Sequence, residues 1–160
     1  MHSIRDVRIS AKTDYALRAA VELAAAPDGE TPVKGEQIAT AQGIPLRFLE
    51  NILGDLRNGG IVESRRGVDG GYLLSRPADE IALADVIRAV DGPLANVGGA
   101  KPEALSYEGP AEQLRDIWVA VRAALRGVLE ETTVADVASG ELPKDVKDLL
   151  RQPDAWERRI

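Results

Sequence analysis

Apolar residues recur at helical spacing along the first part of the chain, and turn residues separate the segments. Positions 15 to 24 repeat apolar side chains every three or four residues, which predicts a helix that Ser10 caps at its start. The turn residues at positions 27–29 end this helix. A second, shorter helix is predicted from Lys34 to Ala41, and Gly43 ends it by adopting a positive φ.

A third helix is predicted to begin at Pro45, where the missing backbone N–H of proline costs nothing. The helix carries one continuous apolar stripe that we expect to face the core: Leu46, Leu49, Leu53 and Leu56. Gly59 and Gly60 end it. Two helices joined by about three residues around a glycine are typical of a helix-turn-helix, which we predict over residues 34–59.

A β-hairpin is predicted directly after the third helix. Residues 61–66 have the length and the β-branched start of a strand, residues 67–71 form a glycine-rich turn, and residues 72–75 return as a second strand. A hairpin in this place is a wing, predicted over residues 61–76. A further helix through Asp85 and Val90 ends at Gly92 and completes a winged helix-turn-helix domain over residues 1–92.

The second half of the chain is predicted to hold a loop over residues 93–109, helices over residues 110–140 and a loosely attached tail over residues 141–160. The long helix after Pro110 has a strong apolar stripe: Leu114, Ile117, Trp118, Val121, Leu125 and Val128. This stripe either packs on its own domain or forms a dimer interface, for which Trp118 is the best single anchor. The predicted fold class is mainly α with a small β-hairpin wing and a long C-terminal dimerisation helix.

The composition excludes several classes of function. The chain of 160 residues has no cysteine, and its one histidine is His2, so thiol chemistry, disulfides and His or Cys metal sites are excluded. We find no phosphate-binding glycine loop and no paired carboxylates, so we predict neither an enzyme nor a cofactor nor a metal site. No apolar run approaches the ~20 residues of a membrane span and no leader opens the chain, so we expect a cytoplasmic protein without a membrane partner.

The net charge of −6 is unevenly distributed along the chain. The first 76 residues carry ten basic and ten acidic side chains, whereas the remaining residues carry ten basic and sixteen acidic ones. Four basic residues lie close to the start: Arg5, Arg8, Lys12 and Arg18. Because phosphate binding depends on the local charge, the acidic balance of the whole chain does not argue against DNA binding.

The third helix has the polar front that a helix in the major groove requires. If its leucines face the core, then Arg47, Glu50, Asn51 and Gly54 face away. Arg47 suits guanine or a phosphate, Asn51 suits adenine, and Glu50 can accept from cytosine N4. Gly54 would let the helix backbone approach the duplex. The alternative is an ordinary amphipathic helix with solvated charges.

The wing places Arg65 and Arg66 beside a glycine-rich tip, which suits the narrow minor groove. The alternative is a tight turn flanked by surface charges. The order helix, short turn, helix, hairpin with arginine at the tip favours DNA binding. The predicted DNA-binding residues are Lys34, Arg47, Phe48, Glu50, Asn51, Arg57, Arg65 and Arg66.

Three segments resemble the Rrf2 family of bacterial transcription regulators. They are Ile9–Arg18, Ile44–Glu50 and Arg66–Pro77, and the resemblance extends over roughly residues 8 to 140. It implies a homodimer on a pseudo-palindromic operator, with the long C-terminal helix as the dimer element. By position, Glu50 matches a base-reading glutamate and Arg66 a wing arginine of the family.

The sequence departs from the family in the loop between Pro93 and Pro110, where cluster-binding members carry three cysteines and this chain has none. Asp14 matches a carboxylate ligand of some members, but without thiolates we expect it to be a capping or polar residue. The cluster function is therefore not carried over.

The function predicted from the sequence is DNA-binding regulation by a homodimer, as a repressor, without an iron–sulfur cluster. The alternative is a protein-interaction module of the same fold, controlled by a protein partner and lacking its own DNA contact. The signal stays open: a small molecule, a protein partner, or constitutive DNA binding.

Overall fold

A computed structural model describes residues 9–159, so His2, Arg5 and Arg8 lie outside the described residues. Within this range the chain forms seven α-helices and one two-stranded sheet. In chain order the elements are α1 (Ala11–Ala24), α2 (Gly35–Gln42), α3 (Leu46–Asn58), β1 (Val62–Arg65), β2 (Gly71–Leu74), α4 (Leu83–Asp91), α5 (Leu114–Leu129), α6 (Val134–Ser139) and α7 (Lys144–Leu150). The prediction of a mainly helical chain with one hairpin is confirmed.

Helix α1 lies at the centre of the core. As predicted, Ser10 caps it, because the Ser10 hydroxyl accepts from the Thr13 amide at 3.0 Å. Ala16, Ala19 and Ala20 are fully buried on one side of the helix. These small side chains let α3, α4 and α6 pack closely against α1.

Helix α3 buries Leu49, Leu53 and Leu56 as predicted, but the prediction for Leu46 is wrong. Leu46 is 36 % exposed, and Ile52 is buried with 3 % exposure. The apolar repeat is one turn longer than the core beneath it, so the first leucine extends past the core edge toward Gly35. The prediction did not include Ile52, because Ile52 directly precedes Leu53 and the predicted stripe consists of leucines alone.

The wing is an antiparallel hairpin in which Val62 pairs with Leu74 and Arg65 pairs with Gly71. A third segment joins it, since Val33 and Tyr72 exchange two backbone hydrogen bonds of 2.9 and 2.8 Å. A Cβ atom on Gly71 would lie 2.6 Å from the Val33 carbonyl oxygen. Glycine is therefore required where the chain before α2 passes over the wing.

Helix α6 packs on α1 within the winged-helix core. The sequence had instead placed this segment with the long helix, outside the winged-helix domain. The buried side chain of Val134 fixes it there, and the Val134 amide donates to the Ile81 carbonyl at 3.0 Å. Thr133 caps it by accepting from the Asp136 amide at 3.1 Å. The chain therefore leaves the domain through α5 and returns to it.

Helix α5 begins at Leu114 and not at Pro110, because Gly109–Ala111 forms a short 3₁₀ turn. None of its residues is buried. The segment predicted as a loose tail contains α7, where Lys144 pairs with Asp148 one turn along at 2.5 Å. The many charged residues of α7 leave no apolar repeat from which a helix could be predicted. Among residues 9–159, no helix combines the length and hydropathy that crossing a bilayer requires.

Candidate nucleic-acid interface

The side chains predicted to bind DNA all lie exposed, and they come from three elements that meet around one groove. The segment before α2 supplies Lys34, and the wing supplies Arg65 and Arg66. Helix α3 supplies the others: Arg47, Phe48, Glu50, Asn51 and Arg57. The groove between α3 and the wing is lined by Lys34, Glu36, Leu46, Glu50, Arg65 and Tyr72.

The polar face of α3 follows from the way its apolar face is anchored. An α-helix advances about 100° per residue, so the buried positions 49, 52, 53 and 56 share one side. Arg47 and Asn51 then lie on the opposite side, directed into solvent. Glu50 lies on the flank that faces the wing, because it lines the same groove as Arg65.

Polar contacts to α1 hold the helix-turn-helix in place. The Arg18 guanidinium donates to the Gln42 carbonyl oxygen at 2.8 Å, at the C-terminal end of α2. The Gln42 amide in turn donates to the Glu22 carboxylate. Lys12 forms an ion pair with Asp55 of α3 at 2.7 Å. Helix α3 is thus fixed by contacts on both sides of the turn.

Lys34 connects the start of α2 to the tip of the wing. Its ammonium donates to the Val68 carbonyl oxygen at 2.7 Å, across 34 positions of sequence. An ammonium has three donors, so two remain for a phosphate. Lys34 therefore orders the wing tip in addition to any contact with DNA.

Three predicted DNA-binding arginines differ in their partners from several arginines elsewhere in the chain. Arg76, Arg88 and Arg122 pair with carboxylates. Within residues 9–159, no ion pair engages Arg47, Arg65 or Arg66. Their guanidinium groups keep the full set of donors that phosphate and base edges require.

The sequence did not identify the residues that support this surface. Gly70 has no space for a side chain, because an added Cβ would lie 2.2 Å from the Arg65 carbonyl oxygen. Val33 pairs with Tyr72, and Arg18 caps α2. The Gly70-Gly71 doublet was the one signal of close approach, whereas the other contacts join distant positions and leave no local pattern.

The loop between α4 and α5 is held against α5 by one aromatic and one ionic contact. The Trp118 indole N–H donates to the Tyr107 hydroxyl at 3.1 Å, and Arg122 pairs with Glu103 at 2.6 Å. The backbone amide of Glu103 itself, followed by Arg122, lowers the pKa of the Glu103 carboxyl. Trp118, predicted as a dimer anchor, thus also contacts its own loop.

Asp14 has the polar role that the sequence indicated. It is exposed and forms an ion pair of 3.1 Å with Arg18 one turn along α1. In the described part of the chain, no group of three or more His, Cys, Asp or Glu side chains could hold a metal ion.

A helix-turn-helix with an exposed polar reading helix and a basic wing defines a DNA-binding transcriptional regulator. The chain belongs to the Rrf2 family: the model of this family, described as iron-dependent transcriptional regulators, matches residues 9–140. The family resemblance noted in the sequence is thereby confirmed.

Similar proteins carry the same description. A helix-turn-helix transcriptional regulator of Mycobacterium tuberculosis is 53 % identical over 151 residues, which cover 94 % of this chain and 93 % of the relative. IscR of Escherichia coli O9:H4 is 30 % identical over 154 residues, covering 96 % of this chain and 94 % of IscR. These relatives are transcriptional regulators, so the prediction that the chain is not an enzyme is confirmed.

A solved structure shows the same fold. The structure of CymR, the global cysteine regulator of Bacillus subtilis, matches with a TM-score of 0.70 and 38 % identity. The match covers 83 % of this chain and 97 % of CymR. The family model ends at residue 140, before α7.

The residues of this chain do not fit an iron–sulfur cluster, although the family description mentions iron. Protein ligands of such clusters are mostly cysteine thiolates, and the sequence contains no cysteine. The loop that would hold a cluster is instead occupied by the Tyr107–Trp118 and Glu103–Arg122 contacts. No functional step is therefore assigned to iron.

Proposed function

We propose that the protein represses transcription as a homodimer that binds a pseudo-palindromic operator through α3 and the wing. The observation that carries the proposal is the groove between α3 and the wing, which Glu50 and Arg65 line together, while Arg47, Asn51 and Arg66 lie exposed on the same two elements. A duplex placed against this face meets α3 in its major groove and the wing in the adjacent minor groove.

The first turns of α3 supply the contacts to base edges. Arg47 donates to guanine O6 and N7, and Asn51 forms a paired contact with adenine N6 and N7. Glu50 accepts from cytosine N4 on the flank of the helix nearest the wing. These three side chains are exposed. The buried residues on the opposite face of α3 anchor the helix to the core and so fix the position of these side chains.

The basic side chains around α3 position the protein on the backbone. Arg65 and Arg66 extend from the wing into the minor groove, where negative potential is focused. Arg57 lies at the end of α3 and donates to the Ser64 hydroxyl at 3.4 Å, so it is held near the wing, where it contacts a phosphate. Lys34 contacts a phosphate beside the wing tip.

Dimerisation would cover the face that α5 leaves exposed. Ile117 is 54 % exposed and Leu114 is 40 % exposed, while Val121, Leu125 and Val128 are half-buried. Trp118 lies at the edge of this face. Two α5 helices packed on each other bury these side chains and set two recognition helices one DNA turn, about 34–36 Å, apart.

Regulation would proceed without an iron–sulfur cluster. Because no thiolate is present, the loop of residues 93–109 depends on its contacts to α5 for its position. An unidentified small molecule or protein that binds this loop or α5 would act on the spacing of the two reading helices. Alternatively, the protein has no effector and binds DNA constitutively.

Band-shift titration with promoter fragments at several salt concentrations tests the proposal. Wild-type protein should bind with an affinity that falls steeply as salt rises. Arg66→Ala should weaken binding to all sequences and reduce the salt slope by roughly one unit. Glu50→Ala should change the preference at one base pair by about 1–3 kcal/mol. Binding without salt dependence, or no binding, contradicts the proposal.

A further inference from the structure

Phe48 is a large apolar side chain exposed on the reading helix. It is the only phenylalanine of the chain, and it lies in the first turn of α3 with 59 % of its surface exposed. We propose that Phe48 reads the 5-methyl group of a thymine in the major groove. This assignment rests on the proposed DNA-reading role of α3 and gives it a specificity determinant.

The core does not require Phe48. The buried side of α3 is filled by Leu49, Leu53 and Leu56, each fully buried, and by Ile52. Phe48 is not among the side chains that pack against this cluster. A mostly exposed phenyl ring gains little from the fold, so it is available to contact a molecule outside the chain.

Helix geometry places Phe48 beside the side chains that face the duplex. At about 100° per residue, Phe48 lies a quarter turn from Arg47 and about 60° from Asn51. Glu50 occupies the opposite flank, which lines the groove toward the wing. Phe48 therefore faces the flank away from the wing, on the side of α3 where Lys12 binds Asp55.

The chemistry of the major groove selects the partner. The base edges present hydrogen-bond donors and acceptors, and the thymine methyl is the one apolar group among them. A phenyl ring forms no conventional hydrogen bond, so covering a donor or acceptor with it costs free energy. Contact with a methyl group instead removes apolar surface of both partners from water.

The position also restricts the occupant. Arg47 and Phe48 are neighbours in the first turn, so a duplex close enough for Arg47 lies next to the ring. A protein partner seated on Phe48 would exclude DNA from Arg47 and Asn51. We therefore assign the ring to DNA, specifically to a thymine on the side of the half-site away from the wing.

Replacement of thymine by deoxyuridine tests the assignment, because it removes only the methyl group. Wild-type protein first selects a duplex from a random-sequence library. Each thymine of that duplex is then replaced in turn by deoxyuridine, and the dissociation constant is measured by fluorescence anisotropy. We expect one thymine in each half-site to be sensitive. Its replacement in one half-site should weaken binding about fourfold, and replacement in both half-sites about fifteenfold, because each methyl group is buried against one ring.

Variants link this loss to Phe48. Phe48→Ala should bind the thymine and deoxyuridine duplexes equally well, and Phe48→Leu should keep part of the preference. Leu149→Ala is a matched control, because Leu149 is 45 % exposed but lies on α7, outside α3 and the wing. It should keep the full wild-type preference for thymine.

A measurement on the wild-type protein covers the case in which Phe48→Ala does not fold. Thymine at the sensitive position is replaced by 5-iodouracil, and irradiation should crosslink it to Phe48. A crosslink to another residue overturns the assignment, as does a wild-type protein that ignores every deoxyuridine. An unchanged preference for thymine in Phe48→Ala overturns it as well.

The results separate this inference from the function on which it depends. A protein that selects no duplex and shows no salt-dependent binding contradicts the proposed function as a whole. A protein that selects a duplex but does not sense the methyl groups contradicts the role of Phe48 alone.

Discussion

The winged-helix region and the α5 region differ in how far they bury their apolar side chains. Helices α1, α3 and α4 all contribute buried residues to one core, whereas α5 and α7 contain none. Leu53 of α3 is fully buried, and Ile117 of α5 is 54 % exposed. The first region is complete in a single chain, and the second leaves an apolar surface uncovered.

This difference shows what an amphipathic pattern can reveal. Helices α3 and α5 have similar apolar stripes, and the pattern alone does not say whether a stripe faces its own core or another molecule. The structure separates them, because it buries three of the four stripe leucines of α3 and no residue of α5. Substitutions in the two stripes should therefore act on different equilibria.

The largest expected effect is on folding. Leu53→Ala should lower the free energy of unfolding by about 2–5 kcal/mol, because it leaves a cavity in the packed core. Urea denaturation measures this change. Leu114→Ala, at a 40 % exposed position of α5, serves as the control and should cost much less at concentrations where the chain is monomeric. Equal losses would remove the distinction between the two regions.

The next effect is on assembly. Ile117→Asp should weaken self-association by at least about 30-fold, because it places a carboxylate at the most exposed apolar position of the proposed interface. Sedimentation velocity across a concentration series measures the association. Ala123→Asp adds the same charge to an exposed position on the opposite side of α5 and should leave association unchanged. An Ile117→Asp protein that associates like wild type would rule out α5 as the dimer element.

The wing should be sensitive to one added methyl group. Gly71→Ala should weaken operator binding about tenfold, because its Cβ would collide with the Val33 carbonyl and displace the wing arginines. Gly29→Ala is the control: its φ is also positive, but nothing lies within 4 Å of the added atom. Anisotropy titration compares the two. If Gly71→Ala binds the operator as tightly as wild type, the contact with Val33 does not position the wing.

A smaller effect distinguishes the free surface of α3 from that of α5. Gly54 and Gly127 are both helical glycines with open space around them. Alanine should stabilise the fold by about 0.8–1 kcal/mol at either position. Only Gly54→Ala should weaken DNA binding, because its backbone faces the duplex. Equal DNA binding by both variants would show that α3 does not approach the duplex at Gly54.

The smallest effect concerns the loop after α1. The Thr31 hydroxyl and backbone amides of Thr31 and Glu30 lower the pKa of Asp28 from 3.8 to about 2. The ionised carboxylate is therefore favoured in the fold, and its contribution to stability is lost as pH falls from about 4 toward 2. Thr31→Val should raise this pKa in a carboxyl NMR titration, whereas Thr40→Val should not. An unchanged pKa would contradict the assigned hydrogen bonds.

Sequence reasoning predicted the parts of the fold that local patterns determine. The Ser10 cap, the helix-turn-helix and the hairpin all follow from residues close together in sequence. The contact between Lys34 and Val68 joins positions 34 residues apart, so no local pattern reports it. The exposure of Leu46 depends on where the core ends, which a stripe alone does not define.

The candidate site was predicted to a similar extent. The eight side chains named from the sequence are all exposed, and three of them, Lys34, Glu50 and Arg65, line one groove, although their individual roles in DNA binding stay predictions. Their support by Arg18, Val33 and Gly71 could not be predicted, because those residues act through neighbours brought close by folding. Helix α7 escaped notice because charged residues dominate its sequence.

The central claim is that two copies of the chain read one operator through α3 and the wing. Hydroxyl-radical footprinting of wild type and Ile117→Asp on the selected duplex tests it most directly, with the stoichiometry measured by sedimentation. The account predicts two protected segments about one helical turn apart and two chains per duplex for wild type, with both lost together in Ile117→Asp. A single protected segment with one chain per duplex, unchanged in Ile117→Asp, would contradict it.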